Sequence, residues 1–318
     1  MNFDIYLITP SFNAEATIAE TIESVIPHGI KYHIRYHIQD GLSTDSTHST
    51  LRTYEEKLKN NGRVVFSWCS RKDSGMYDAI NAAVDILSIP ENAWMGWINA
   101  DDILVPDYLE RLQQVSEALP HIQWLGGIAS IANMAGEVIH PKRAGWRPNA
   151  FLRNGLCDGI HWGYLQQEGT FWRKSLWDKV GGLDATFRLA GDWDLWRRMA
   201  LHAEYTHLPW PMGIFRKRPG QLSQNIGLYQ AEIAQRMSLA ERRKALREVL
   251  REKESLQYST IAFTDTGIVL ERRATPVIDL KMWIRLRLCV NGLYKHMLIQ
   301  GIKRLLRLLN NMYTRYGS

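Results

Sequence analysis

Short apolar segments alternate with helical segments over the first hundred residues, and this alternation constrains the fold more than any other feature of the chain. Buried strands are predicted at residues 5–9, 36–39, 64–68 and 93–98, and residues 14–25 carry apolar side chains at helical spacing. Strands that alternate with helices form parallel sheets, and the polar loops after the strands meet at one edge. The sequence therefore predicts a doubly wound, mostly parallel α/β sheet with helices on both faces and a binding site at its carboxyl edge.

The rest of the chain has a less regular pattern. Its 318 residues are 45% hydrophobic and 23% charged, which suits a full globular core. A strand is predicted over 124–132, and helices over 106–119, within 171–180, over 192–199 and over 231–254. A change of composition near residue 225 divides a main α/β domain, residues 1–225, from a helical, basic amphipathic extension, residues 226–318.

The cysteines bear on the cellular compartment. Cys69, Cys157 and Cys289 are far apart and odd in number, so neither a disulfide framework nor a thiolate metal site is predicted. No basic and apolar export segment precedes the first strand. We therefore expect a reducing, cytoplasmic location.

Positive charge is concentrated at the carboxyl end. The net charge is +6, but residues 271–318 contain ten lysines or arginines against two acids. Charges interrupt each apolar stretch there, so residues 282–288 and 298–309 are expected to lie on a membrane surface, on its inner face, rather than to cross it. Packing of these helices on their own domain or on a partner chain is the alternative. A nucleic-acid partner is not expected.

Two adjacent carboxylates, Asp101 and Asp102, follow the fourth predicted strand. Carboxylates at the end of a buried strand are typical ligands of Mg²⁺ or Mn²⁺. Asn99 adds an amide but no charge, so we expect Asp101 to hold the cation with Asp102 assisting. The alternative is that both acids cap the turn before Pro106.

Seven polar motifs occur in an order that resembles family 2 glycosyltransferases of the GT-A fold, over roughly residues 3–225. They are Thr9-Pro-Ser-Phe-Asn13, Asp40-Gly-Leu-Ser-Thr-Asp45, Asp73-Ser-Gly75 with Asn81, Asn99-Ala-Asp-Asp102, Gln167-Glu-Gly-Thr-Phe-Trp-Arg173, Gly181-Gly-Leu-Asp184 and Gly191-Asp-Trp-Asp-Leu-Trp196. The resemblance implies an inverting transferase with a GT-A catalytic domain, a nucleotide-diphosphate sugar as donor and a divalent cation. It further implies a glycan or lipid-linked glycan acceptor, as in bacterial surface polysaccharide synthesis.

The resemblance assigns the donor to the carboxyl ends of the strands. The expected nucleotide-sugar contacts are Thr9, Pro10, Ser11, Asp40, Asp73, Gly75, Asn81, Asn99 and Asp101. An acid at the position of Asp40 suits the imide N–H of uracil, so UDP is the first expectation for the nucleotide, with GDP and TDP as alternatives. Asp40 as a simple turn cap is the alternative.

Asp192 is the expected catalytic base. It begins a predicted amphipathic helix, and an unperturbed aspartate, with a pKa of about 3.9, could accept the acceptor's proton only as the new C–O bond forms. An N-terminal helix cap is the alternative role. The family commonly has an acid before this aspartate, where this chain has Gly191, and a histidine where it has Arg218 in a loop that resembles the cover of the diphosphate.

Aromatic residues are dense before and around Asp192. Seven of the twelve tryptophans lie between residues 145 and 210, and most are expected in the core. Trp162 and Trp193 are the candidates for exposed sugar-binding faces, together with Gln167 and Glu168 as acceptor contacts.

Other functions fit less well. No glycine-rich loop follows the first strand, which disfavours a nucleotidyltransferase and a dinucleotide-dependent oxidoreductase. A non-catalytic carbohydrate-binding relative of the fold remains open, because Asn99 and Gly191 depart from the family pattern.

Overall fold

The computed structural model describes residues 4–27, 32–133, 136–140, 146–218, 220–252 and 256–275. The basic amphipathic segments expected at 282–288 and 298–309 lie outside these residues.

The first half confirms the predicted alternation. Its elements are β1 (Asp4–Ser11), α1 (Ile18–Val25), β2 (His33–Asp40), α2 (Thr47–Leu58), β3 (Val64–Ser70), α3 (Met76–Leu87) and β4 (Trp94–Trp97). β1 pairs in parallel with both β2 and β4, and β2 pairs in parallel with β3. The carboxyl ends of these strands therefore share one edge.

The second half completes the sheet and its helical layers. Its elements are β5 (Ile103–Leu104), α4 (Tyr108–Ala118), β6 (Trp124–Ala132), β7 (Val138–His140), α5 (Asn149–Arg153), β8 (Thr170–Arg173), α6 (Lys174–Val180), α7 (Gly191–Met199), β9 (Thr206–Arg216), α8 (Ile226–Arg236), α9 (Leu239–Val249), β10 (Gln257–Thr264) and β11 (Gly267–Ala274). The sequence pattern did not predict β5, β7, α5, β8 or β9.

The described strands form one mixed sheet in the order β11-β10-β9-β6-β8-β4-β1-β2-β3, with β5 beside β9 and β7 beside β6. Five of the eight neighbouring pairs in the nine-strand order are parallel, and β8 is inserted antiparallel between β4 and β6. The register of β6 against β9 shifts between Gly126 and Ile128, around Gly127. A Cβ on residue 127 would lie 2.6 Å from the Trp210 carbonyl oxygen, so this close approach requires glycine.

Alternation along β1 divides the core between the two faces of the sheet. Ile5 and Leu7 pack with helices α1, α2 and α4, whereas Tyr6 and Ile8 pack with α3 and the helices of the second half. The second face holds a cluster of stacked and edge-on indoles, which includes Trp97, Trp172 and Trp196. Both faces are covered, as the doubly wound prediction required.

The expected extension after residue 225 is helical only in part. α8 and α9 bury Ile233, Leu246 and Val249 in the same core as the preceding helices, and the chain then turns into the hairpin β10–β11. β10 pairs in parallel with β9 and so extends the main sheet. The β-branched residues of both strands and the tight turn at Gly267 explain why this segment forms a hairpin instead of the predicted helix.

Within the described part of the chain, no helix is both long enough and apolar enough to cross a bilayer.

Candidate active site

The turn after β2 is built around the carboxylate of Asp40. Its oxygens accept hydrogen bonds from the Ser43 backbone N–H (2.9 Å) and hydroxyl (2.5 Å), from His48 Nε2 (2.7 Å) and from the Ser70 hydroxyl (2.7 Å). Burial raises the pKa of Asp40, but these donors outweigh it and hold the pKa below its ordinary value. The side chain is fully buried.

This geometry corrects the expectation that Asp40 receives the imide N–H of uracil. Its oxygens are already engaged by the protein, so the turn-cap alternative describes the residue better. The donors come from the turn itself, from α2 and from the end of β3. Of these donors, Ser43 alone lies close enough to Asp40 in sequence to be predicted from a turn pattern.

Asp73 lies beside this turn with one oxygen available. Its Oδ1 accepts the Gly75 N–H at 3.0 Å, and a Cβ on Gly41 would lie 2.7 Å from its Oδ2. Within the described residues no donor reaches Oδ2. Burial, together with the negative charges of Asp78 and Asp40, raises the pKa of Asp73 against the effect of the Gly75 N–H.

The end of β1 contributes an apolar surface at the same edge. Phe12 is 65% exposed and Leu42, in the turn after β2, is 48% exposed. The Ser11 carbonyl accepts the Gly41 N–H at 2.8 Å, which joins the two turns. Thr9 and Pro10 are buried, and the Thr9 hydroxyl forms a hydrogen bond with the Tyr36 hydroxyl at 2.9 Å. These two residues therefore support the end of β1 from inside the protein.

Asn81 has a structural role in this geometry. Its Nδ2 donates to the Leu183 carbonyl at 2.8 Å, and its Oδ1 accepts the Leu183 N–H at 3.1 Å. Both ends of the amide therefore hold the turn after α6, and the expected nucleotide contact is not supported.

Asp102 is buried and surrounded by donors. The Arg216 N–H (3.0 Å) donates to Oδ1, while Asn99 Nδ2 (3.0 Å) and Gln167 Nε2 (3.4 Å) donate to Oδ2. Burial and the nearby Glu168 and Asp101 carboxylates raise the pKa of Asp102 well above its ordinary value. Asp102 ties β9 and the 167–169 loop to the end of β4, which corrects its expected role as a second metal ligand.

Asp101 has a different environment. Its Oδ2 accepts Arg218 Nε at 2.7 Å and Gln221 Nε2 at 3.1 Å, both from the loop between β9 and α8. No donor within the described residues reaches its Oδ1. Arg218 is half exposed, so this loop covers Asp101 from the solvent side.

The donor set near Asp101 fits a hard divalent cation held in part by substrate. Among the described residues, no group of three His, Cys, Asp or Glu side chains lies close enough to hold a metal by itself. Asp101 Oδ1 and the buried Asn99 Oδ1 are oxygen atoms without a donor in that part of the chain. Mg²⁺ and Mn²⁺ sites commonly combine one or two protein carboxylates with phosphate oxygens, which is the pattern available here.

The 167–169 loop lies between the two acidic regions. Gln167 reaches Asp102, as described above, and Glu168 is buried. The charge of Glu168 raises the pKa values of both Asp102 and Asp192. The end of β4 and the start of α7 therefore face a common region beside Glu168.

Asp192 stands in the first turn of α7 and is half-buried. Its Oδ1 accepts the Trp193 N–H at 2.7 Å, and no other residue of the described chain donates to Oδ2. Burial raises the pKa of Asp192 to about 7, assisted by Glu168 and Glu232 and opposed by the Trp193 N–H. This value corrects the unperturbed pKa assumed from the sequence, and it suits proton transfer near neutral pH better.

Tyr77 explains why glycine precedes Asp192. A Cβ on residue 191 would lie 2.5 Å from the Tyr77 ring, so an acidic side chain there is incompatible with this packing. The Tyr77 hydroxyl donates to the Leu189 carbonyl at 2.8 Å, immediately before α7. Sequence reasoning missed Tyr77, although Gly191 marked a close approach.

Trp162 and Trp193 are buried, contrary to the expectation that they present exposed faces. Trp193 Nε1 donates to the Gly155 carbonyl at 3.0 Å, and Trp162 Nε1 donates to the Trp146 carbonyl at 2.7 Å. Their indole N–H groups are used inside the protein, so these residues support the site rather than line it. The prediction that most tryptophans between residues 145 and 210 belong to the core is confirmed.

Comparison with known proteins identifies the family. The family model for glycosyl transferase family 2 matches residues 6–181. The chain belongs to glycosyl transferase family 2. An uncharacterized glycosyltransferase of Haemophilus influenzae is 26% identical over 160 residues, which cover 49% of this chain and 47% of that protein. The chain thus spans about half the length of this curated relative.

Solved structures agree on the fold. Crystal structures of S. aureus TarS superpose with TM-scores of 0.50 for residues 1–349 and 0.51 for a longer form, at 16% and 17% identity. Each covers 79% of this chain, and the matched part covers 66% and 43% of the respective TarS chain. TarS 1–349 in complex with UDP gives a TM-score of 0.50 at 18% identity, covering 79% of this chain and 71% of that one. The GT-A fold predicted from the motif order is confirmed.

Proposed function

We propose that this family 2 protein transfers a sugar, with inversion, from a UDP-sugar to a hydroxyl of a glycan or lipid-linked glycan. The observation that carries the proposal is the common position of Glu168 beside Asp102 and Asp192, since its charge acts on both. A donor held at the end of β4 would then lie next to a base at the start of α7.

The nucleotide is assigned to the edge formed by β1, β2 and β3. The exposed ring of Phe12 offers a stacking face, and the open Oδ2 of Asp73 offers an acceptor for the imide N–H of uracil. S. aureus TarS, which shares the fold, has been crystallised with UDP. Asp73 takes the role that the sequence had suggested for Asp40.

A divalent cation is assigned to Asp101, with Asn99 as a neutral oxygen donor. When bound, Mg²⁺ or Mn²⁺ supplies positive charge that stabilises the departing diphosphate. Arg218 already meets Asp101, and its guanidinium is suited to bind phosphate oxygens when the donor enters. The same loop that covers Asp101 would then cover the diphosphate.

The base is assigned to Asp192. As the acceptor oxygen forms its bond to the anomeric carbon, the hydroxyl proton passes to the open Oδ2 of Asp192. The bond from the anomeric carbon to the diphosphate breaks, and its electron pair remains on the diphosphate. Attack on the face opposite to the leaving group inverts the anomeric configuration.

The first experiment is a thermal-shift panel of UDP, GDP and TDP, each with and without Mn²⁺. Ligand binding to the folded state raises the melting temperature by mass action. We expect UDP to give the largest shift and Mn²⁺ to increase it. Equal shifts with and without Mn²⁺ would remove the metal assignment, and a larger GDP or TDP shift would replace UDP.

The second experiment measures UDP release from UDP-glucose, UDP-galactose and UDP-N-acetylglucosamine. Slow hydrolysis by water is expected even before the acceptor is known, and a mixture of lipid-linked glycans should accelerate it. Nucleotide binding without any release would favour a non-catalytic carbohydrate-binding protein. Release of pyrophosphate from UTP would instead identify a nucleotidyltransferase.

The basic segment after residue 271 is assigned to an anionic membrane surface, where a lipid-linked acceptor would lie. The assignment rests on its charge and amphipathic pattern in the sequence. The test is sedimentation with phosphatidylglycerol vesicles, before and after removal of residues 276–318. Equal sedimentation of both forms would contradict this part of the proposal.

A further inference from the structure

The backbone just before α7 is held by a helix that lies outside the family match. Glu232, in the middle of α8, accepts the N–H of Arg188 on Oε1 at 3.0 Å. It also accepts the N–H groups of Leu189 and Ala190 on Oε2, each at 2.9 Å. Three successive backbone donors therefore converge on one buried carboxylate.

We propose that Glu232 is a positioning residue for Asp192: it fixes the 188–190 backbone and thereby places the carboxylate that receives the acceptor's proton. This inference rests on the proposed function for its catalytic meaning. It goes beyond that function because it assigns a role to a residue 40 positions away from the base.

The three hydrogen bonds fix the segment that leads into α7, and one of them reaches the N-cap residue of that helix. Ala190 occupies the N-cap position of α7 and has no side-chain group that could accept a hydrogen bond. Glu232 instead accepts the Ala190 N–H, one of the first four N–H groups of the helix, and its negative charge lies at the positive end of the α7 dipole. A loss of Glu232 would therefore free the 188–190 backbone, from which the first turn of α7 with Asp192 begins.

The opposite side of the same backbone is fixed by Tyr77. Its hydroxyl binds the Leu189 carbonyl, while its ring packs against Gly191. Leu189 is thus held through its N–H by Glu232 and through its carbonyl by Tyr77. With both groups engaged, the segment has little freedom to rotate, and Asp192 follows it by three residues.

α8 is itself firmly anchored. Gln230 Nε2 donates to the Asp158 carbonyl at 2.7 Å, and Gln230 Oε1 accepts Arg242 Nη1 at 3.1 Å. Ile233, next to Glu232, is fully buried. The carboxylate is therefore presented from the buried face of a helix that side-chain hydrogen bonds tie to its neighbours.

A negative charge on Glu232 is not needed to accept these hydrogen bonds. It is buried, and no lysine or arginine of the described chain pairs with it. A buried carboxylate without a cation is costly, and a neutral amide could accept part of the same hydrogen bonds. The charge also acts on Asp192, whose pKa it raises, so Glu232 affects both the position and the protonation of the base.

The test compares wild type with Glu232→Gln and Glu232→Asp in the full chain. Hydrogen exchange of the 188–190 amides should become faster in both variants, because neither side chain can satisfy all three donors. The Asp192 pKa, followed by carboxyl ¹³C titration of labelled aspartate, should fall in E232Q and stay closer to wild type in E232D, which keeps the charge. With the fastest UDP-sugar of the panel, kcat for UDP release should fall about tenfold to 100-fold in both.

Glu248→Gln is the matched control, because Glu248 is exposed on α9 and pairs with Lys244. Unchanged exchange at 188–190 in E232Q would overturn the inference. Faster exchange with an unchanged Asp192 pKa and unchanged kcat would also overturn it, since Glu232 would then be a structural cap only. A wild-type protein without turnover would refute the proposed function instead, and the exchange and titration results would still decide whether Glu232 controls Asp192.

Discussion

Asp40 and Asp192 are both aspartates beside the carboxyl edge of the sheet, but their surroundings give them opposite properties. Asp40 accepts four hydrogen bonds from other groups and has a lowered pKa. Asp192 accepts one from another residue and has a pKa raised to about 7. The number of donors, rather than residue type or motif position, separates a structural carboxylate from one that is available for chemistry.

The adjacent pair at the end of β4 differs in available oxygen atoms too, although burial raises the pKa of Asp102 despite its donors. Asp102 is fully buried among three donors, whereas Asp101 keeps one oxygen without a donor in the described chain and meets a partly exposed arginine. Saturated carboxylates hold elements of the fold together. The available ones, Asp73, Asp101 and Asp192, are those to which we assign donor, cation and proton.

The largest effect is expected for Asp192→Asn. It removes the proton acceptor while keeping the shape, so kcat should fall about 10²–10⁴-fold with UDP binding unchanged. The assay is UDP release with the preferred donor of the panel. Asp194→Asn is the matched control two residues on, since Asp194 is paired with Arg197 and Arg198. Equal losses of kcat in both variants, corrected for folded fraction, would contradict the assignment of the base.

Asp101→Asn should have the next largest effect. The substitution weakens the cation site and the contact with Arg218, so turnover should fall about 10²–10³-fold. The increase in UDP thermal shift caused by Mn²⁺ should disappear as well. Asp178→Asn on α6 is the control, because its partly exposed carboxylate pairs with Lys174 of the same helix. Persistence of the Mn²⁺ effect in D101N would move the metal to another group.

The pH dependence tests the raised pKa directly. The base works as the carboxylate, so kcat should decrease about tenfold per pH unit below about 7. Stability has the opposite dependence: the folded state binds the Asp192 proton more tightly than the unfolded chain does, so this residue stabilises at low pH and that contribution is lost as pH rises towards 7. The melting temperature of D192N relative to wild type should therefore be higher at pH 8 than at pH 5. A constant difference would show that the pKa is not raised.

Asp40 and Asp73 provide a smaller, paired test. Asp40→Asn should lower the free energy of unfolding by about 1–3 kcal/mol, because a buried donor loses its acceptor. Asp73→Asn should leave stability unchanged and weaken UDP binding about tenfold. Chemical denaturation and UDP titration measure the two quantities. The opposite pattern would restore the uracil contact to Asp40.

Local patterns were enough to predict the first four strands, because the alternation of strands with helically spaced segments can be recognised from residues that are close in sequence. β8 and β9 were not recognisable in this way. β8 has only four residues, and β9 contains Pro209 and Pro211, which are unfavourable inside a strand. Their places are determined by pairing with β6, β4 and β10, which no local pattern encodes.

The sequence analysis predicted where the site residues lie along the chain, but the structure gives some of them a different role. The donors that saturate Asp102 include Gln167 and Arg216, which are 65 and 114 residues away in sequence. Glu232 is also remote in sequence, because the three backbone N–H groups that it accepts lie 42 to 44 residues before it. A motif indicates where an acid lies along the chain, but only the folded contacts decide how many of its oxygens remain available.

Burial also separates aromatic residues that support the site from those that could bind a sugar. Substitution of the buried Trp193 is expected to have the smallest effect on turnover. Trp193→Phe removes the hydrogen bond to Gly155 and part of the core volume, so the free energy of unfolding should fall by about 1–3 kcal/mol. Because the indole is buried beneath the site, KM for the acceptor should stay within about twofold of wild type at a temperature where both proteins are folded. An acceptor KM raised tenfold or more without a loss of stability would mean that Trp193 contacts the sugar, and that burial is no guide to which aromatic residues support this site and which line it.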